Sequence, residues 1–167
     1  QQGSYLLSQP DRLYAIVRAL RTHSAHPISV KIRVDGSTND RFNEDVLDAI
    51  NRAGPDFLTV HGRNYQEGYD TPCHHDQIAF FAQGAHMPVI GNGDVHDQSS
   101  VEAMLALGCA GAMIARASVG APWLIGNIQA RMGLICAADS VSMPETWAVF
   151  CAHINGLSQL LGREDLA

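Results

Sequence analysis

Strand-like and helix-like segments alternate along the first three quarters of this chain, and nothing else in the sequence limits its fold so strongly. Strand-like runs lie at 28–34, 57–61, 88–90 and 111–114, their starts roughly 25 to 30 residues apart, the size of one βα unit. The run Ile28-Ser29-Val30-Lys31-Ile32-Arg33-Val34 alternates strictly, and its β-branched residues favour a strand over a helix. Between the strands, apolar residues recur at helical spacing. Leu13, Ile16, Val17 and Leu20 mark one face of a helix whose start is signalled by Ser8 and Pro10. A second helix runs from about Asn43, turns Val46, Leu47 and Ile50 inward and stops at Gly54, where a left-handed cap favours glycine. A third covers about 77–83. A fourth begins at Asp97-Gln98-Ser99-Ser100, carries Val101, Met104 and Leu105, and ends at Gly108. Residues 62–72 lack periodicity and read as a loop. The class is α/β with a parallel sheet and right-handed crossovers. Four βα units make half of an eight-stranded barrel, or four strands of an open doubly wound sheet, and in both the chemistry collects at the C-terminal ends of the strands.

Beyond Trp123 the pattern becomes helix without strand, with a break at 136–144, a second helix over about 145–161, and no stop signal in Gly162-Arg163-Glu164-Asp165. We therefore expect a βα domain over 1–127 and a helical segment over 128–167. With 46% hydrophobic and 17% charged residues the chain of 167 is ordinary for a soluble globular protein. It has no apolar run long enough for a membrane span, and Gln1-Gln2-Gly3-Ser4 has neither a basic region nor an apolar signal core, so the expected compartment is the cytoplasm. Cys73, Cys109, Cys136 and Cys151 form no Cys-x-x-Cys pair and are expected as free thiols. A formal charge of −6 repels nucleic acid as a whole and leaves binding to a local basic patch.

Two strand ends carry the candidate chemistry. Gly91-Asn92-Gly93-Asp94 and Ala115-Arg116 are small polar turns that present backbone N–H groups to one phosphate, with the positive end of the helix after Asp97 nearby. Glycine permits close backbone approach, and Arg116 pairs with phosphate oxygens through its planar fork. Taken alone, Asn-Gly-Asp is equally a tight turn. Lys31, the single lysine, shares a strand face with Arg33, opposite Val30, Ile32 and Val34, so the two cations either meet a ligand or sit in a structural salt bridge. His61 ends the second strand, where it serves a cofactor or substrate or only a structural hydrogen bond. Arg63 reads equally as a site residue or a solvated loop charge. Cys73-His74-His75-Asp76 reads as a polar helix start, since adjacent side chains converge poorly on a metal, and Trp123 and Trp147 read as packing residues.

In order along the chain, Val30-Lys31-Ile32-Arg33, Thr59-Val60-His61-Gly62-Arg63 with Gly68-Tyr69, Pro88-Val89-Ile90-Gly91-Asn92-Gly93-Asp94-Val95, and Met113-Ile114-Ala115-Arg116 with Pro122-Trp123 resemble the tRNA-dihydrouridine synthases. The resemblance runs over about 3–127 and more faintly through 153–162. It implies an FMN-containing TIM barrel followed by a helical RNA-binding domain. It also implies that Lys31 and His61 contact the flavin ring while Asn92, Gly93, Asp94, Ala115 and Arg116 surround the ribityl phosphate. NADPH would reduce FMN, and the flavin would exchange hydride with the C5–C6 bond of a uridine extruded from tRNA, with Arg33 and Arg63 toward the substrate.

The departures are as informative. The family's catalytic cysteine lies in an asparagine-glycine-cysteine-proline loop that is not in this sequence, and 1–10 resembles the stretch just beyond that loop, so the chain is expected to start at mid-barrel with no catalytic residue of its own. Ala115 replaces a usual glycine, His75 stands where tryptophan is common, and the helical segment stops before the family's basic stretch. A half-barrel has two open sheet edges, so self-association is expected if nothing else covers them. Two other readings remain: a different FMN barrel oxidoreductase of the dihydroorotate-dehydrogenase type, against which the Val-His-Gly-Arg loop speaks, and a non-catalytic scaffold or RNA-binding remnant.

Overall fold

A computed structural model of the chain describes residues 3–35, 40–136 and 142–162. The chain divides into two compact units, Gln1–Leu124 and Ile125–Ala167.

In the first unit a 3-10 turn, Gly3–Ser8, leads into α1 (Pro10–His23), and then strands and helices alternate: β1 (Ser29–Arg33), α2 (Asp40–Ala53), β2 (Phe57–His61), α3 (His75–Gly84), β3 (Val89–Asn92), α4 (Gln98–Ala106) and β4 (Gly111–Met113). The strands form one parallel sheet in the order β1-β2-β3-β4. That order decides between the two architectures left open by strand spacing. A doubly wound sheet reverses direction at a switch point, whereas here each strand adds beside the last, the winding of a βα barrel.

The core fills one side of this sheet. Val30, Ile32, Leu58, Val60 and Val89 are buried there with Val46, Ile50, Ile78, Phe81 and Met104 of the helices. Gly91 belongs to the same face: a Cβ at this position would lie 2.7 Å from the Met104 sulfur and 3.1 Å from that of Cys109, so glycine lets α4 lie close to β3. α1 packs on α2 and α2 on α3. At the foot of the sheet the Asp56 carboxylate accepts from Arg21 at 2.7 Å and from the Ile28 backbone at 2.6 Å, tying α1 to the start of β1.

Four details correct the reading from sequence. The inward stripe of α1 is narrower than its periodicity: Leu13 and Val17 are buried, while Ile16 and Leu20 are exposed, as is Leu105 of α4. β4 stops at Met113, one residue short of the expected run, and the expected turn at Ala115-Arg116 leads into a 3-10 turn, Arg116–Ser118. α2 begins at Asp40 and α3 at His75, a few residues before the first apolar positions.

In the second unit α5 (Leu124–Arg131) and α6 (Met143–Leu161) are the described helices. The Ser142 hydroxyl and the Glu145 carboxylate cap α6 reciprocally, and Gly162, at φ 62°, ends it in the left-handed conformation. A stop signal therefore exists where none was expected; residues 163–165 and most of the expected break at 136–144 lie outside the described residues. Trp147 is 65% exposed and stacks on Phe150 at 5.4 Å, rather than filling a core. Among the described residues no helix is long and apolar enough to cross a membrane.

Ile50 is fully buried and Ile16 is 41% exposed. Ile50→Ala is expected to cost about 2–5 kcal/mol in urea denaturation and Ile16→Ala less than about 0.5 kcal/mol.

Candidate functional site

The register of the sheet assembles the site. The pairings Arg33↔His61, His61↔Asn92 and Asn92↔Met113 place one residue of each strand in a row across the C-terminal end. One step back lies a second row, Lys31, Thr59, Ile90 and Gly111. Alternate residues of a strand share a face, so both rows look away from the helices. There the first row and Lys31 of the second border a cleft of about 560 Å³ that Arg63, Tyr69, Asp94 and Arg116 complete.

Charge in this cleft is one-sided. Lys31, Arg33, Arg63 and Arg116 face a single carboxylate, Asp94, in a chain of net charge −6. Burial, with Arg33 beside it, lowers the Lys31 pKa. Lys31 has no ion-pair partner among the described residues. Arg33 donates to the Asn64 carbonyl at 2.8 Å. His61 is held down to about 4, first by burial and then by Arg33 and Lys31. Near neutral pH its imidazole is therefore uncharged, one nitrogen a donor and the other an acceptor. Asn92 donates its amide to the Met113 carbonyl at 3.1 Å, joining β3 to β4 within the row.

Arg63 is not a solvated loop charge. It is 1% exposed, donates to Asp94 at 2.5 Å and to the Thr71 and Tyr69 carbonyls at 2.6 and 3.4 Å, and leaves Nη1 buried without a partner. The guanidinium thus ties the loop after β2 to Asp94 while it lines the cleft. Asp94 is the other half of this pair. Its carboxylate accepts from Arg63 and, at 3.4 Å, from Arg116, and these contacts hold its pKa down and keep the residue at φ 52°, unusual outside glycine. The guanidinium of Arg116 lies 3.6 Å from the centre of the Tyr69 ring, a cation–π contact that orients it.

Gly93, at φ 130°, has a reason beyond close approach to a ligand. A Cβ there would lie 2.5 Å from the Cys73 sulfur, which also fits against Gly62. The loop after β2 thus closes on the loop after β3 through one half-buried cysteine. Burial raises the Cys73 thiol to about 11, so it is protonated at neutral pH. His74 pairs with Glu67 at 2.8 Å, and among the described residues no three His, Cys, Asp or Glu side chains gather as metal ligands.

The start of α4 is capped, as its start signals imply: Asp97 and Ser100 cap it reciprocally, with the Asp97 carboxyl held down to about 2. Ala115 is exposed at a negative φ of −122°, so its backbone does not need glycine for a left-handed turn. Sequence reasoning assigned no role to Tyr69 or Glu67. Neither belongs to a periodic element, and only the folded loop brings them to Arg116 and His74.

The sequence profile of the dihydrouridine synthases matches residues 1–166. The chain belongs to the dihydrouridine synthase family. Among curated relatives, tRNA-dihydrouridine synthase B of Klebsiella pneumoniae is 29% identical over 162 residues, 96% of this chain and 50% of that protein. The tRNA-dihydrouridine(16) synthase of Yersinia pestis is 36% identical over 124 residues, 72% of this chain and 39% of that protein. The chain thus spans about half the length of the curated relatives it matches. A solved (S)-mandelate dehydrogenase aligns over 69% of the chain and 29% of its own, at 21% identity and a TM-score of 0.46.

Two measurements test this geometry. Because folding depresses the His61 pKa from 6.5 to about 4, the unfolded chain binds more protons between these values, and stability falls as pH drops through that window. The urea midpoint is expected to fall between pH 7 and pH 5, and to fall less in His61→Gln. Gly93→Ala combines a strained φ with a clash on Cys73 and is expected to cost about 1–3 kcal/mol in the same assay.

Proposed function

We propose that the chain supplies the phosphate and ring-facing half of an FMN-binding barrel in an oxidoreductase that reduces uridine to dihydrouridine in tRNA, with NADPH as reductant. The observation that carries this reading is the cleft at the C-terminal edge of the sheet, where four cations meet one carboxylate in an acidic chain. Family membership supplies the chemistry that such a cleft serves, and it favours this reading over a dihydroorotate-dehydrogenase-type enzyme.

The residues present fit the cofactor. A cleft of about 560 Å³ is of ligand size, and its cationic and amide donors suit a phosphate and an electron-rich ring. Arg116 is the phosphate partner, and the turns at Asn92, Gly93 and Ala115 lie beside it. Asp94 holds Arg116 rather than facing the anion, and Arg63 holds Asp94. Lys31 and neutral His61 lie toward the ring; a neutral imidazole donates one hydrogen bond there without adding a fifth positive charge. Arg33 is the cation placed toward the pyrimidine. Bound flavin supplies hydride transfer to the pyrimidine C5–C6 bond. Within this chain Cys73 is packed between Gly62 and Gly93, so the proton at C5 needs a donor from elsewhere in the enzyme.

β1 and β4 each pair with one strand. We propose that further strands cover their free edges, from a longer chain or from a second copy. With tRNA as substrate the working compartment is the cytoplasm.

The purified chain titrated with FMN is expected to show a shifted, stoichiometric flavin absorbance band, lost in Arg116→Ala with folding unchanged by circular dichroism. A folded chain that binds no flavin would favour the scaffold alternative. In a complete enzyme carrying this segment, Lys31→Ala is expected to reduce turnover at least tenfold, about 1.4 kcal/mol in the barrier, with little loss of thermal stability.

A further inference from the structure

A second cavity, about 530 Å³, lies on the far side of Arg33, between the Gly3–Ser8 turn and the loop that follows β2. Arg33 lines both this cavity and the cleft, so the two spaces adjoin. Tyr5 and Tyr65 form part of its wall, 45% and 70% exposed. Each ring is held by its polar end: the Tyr5 hydroxyl accepts from the Gln9 amide at 3.2 Å and the Tyr65 hydroxyl from the Gln66 amide at 2.9 Å. The supporting segments are equally fixed. Ser8 donates to the Tyr5 carbonyl at 2.7 Å, while the Asn64 side chain accepts from the backbones of Gln66 and Glu67 at 2.8 and 3.0 Å.

Exposed aromatic rings on ordered backbone, beside a guanidinium, are the parts from which single-stranded nucleic acid sites are built. The cavity wall carries both a cation and an anion, Arg33 and Asp35. We propose that this cavity takes an unstacked nucleobase of the RNA substrate, neighbouring the reacting nucleotide, by stacking on Tyr65 and Tyr5. The inference rests on the RNA substrate proposed above and adds to it a second base-binding position. Stacking carries the contact in a chain of net charge −6, so binding here depends only weakly on salt.

The test titrates the FMN-treated chain with the trinucleotide UpUpU, following tyrosine fluorescence and amide NMR shifts. Tyr65→Leu and Tyr5→Leu are expected to weaken binding on the order of tenfold each, the size of one base–aromatic stack. Tyr65→Phe and the distant Arg52→Ala are expected to stay within about twofold. Both tyrosines are exposed, so circular dichroism should show unchanged folding. Equal affinity in wild type and both leucine variants would overturn the subsite. FMN binding without UpUpU binding would overturn it and leave the flavoenzyme reading standing, whereas loss of both would remove the two together.

Discussion

The ion pair between Arg63 and Asp94 is the contact on which the site depends. It joins the loop after β2 to the loop after β3, buries a guanidinium almost completely, and sustains a left-handed backbone at Asp94. Such a pair, with the guanidinium buried and the carboxylate exposed, is weak evidence for stability, because desolvating the cation offsets much of the attraction. Its consequence is positional. Asp94 is left to hold Arg116, Arg116 lies over Tyr69, and Cys73 closes the space under Gly93. One contact thus fixes three loops around the ends of the strands.

The sheet register supplies the other constraint. Because side chains alternate, a one-residue slip of β2 would turn His61 and Thr59 into the helical core and expose Leu58 and Val60. Burial of Leu58 and Val60 therefore keeps His61 in line with Arg33 and Asn92. The same packing that stabilises the domain places its polar row, which is how a βα fold carries chemistry at one end and stability at the other.

Much of this was legible in the sequence. Strict alternation in β1 located Lys31 and Arg33 on one face, and the glycine-flanked strand end located Asn92. Strand order was not legible, since spacing is the same in both architectures. The partnership of Arg63 and Asp94 was not legible for a physical reason: each belongs to a loop without periodicity, and 31 positions of sequence separate them. The helix start signals at Asp97-Gln98-Ser99-Ser100 were legible, and they fold as a reciprocal cap that satisfies N–H groups of the first turn. On α1, periodicity marked a face without showing how much of it finds a neighbour.

The central claim is that the cations at the strand ends form a phosphate-binding, flavin-holding cleft. Calorimetric titration of the chain with FMN and with riboflavin, which lacks the phosphate, tests it most directly. The account predicts that FMN binds at least tenfold more tightly, and that added salt narrows the difference. Equal affinity for the two, or binding of neither by a folded chain, would contradict it.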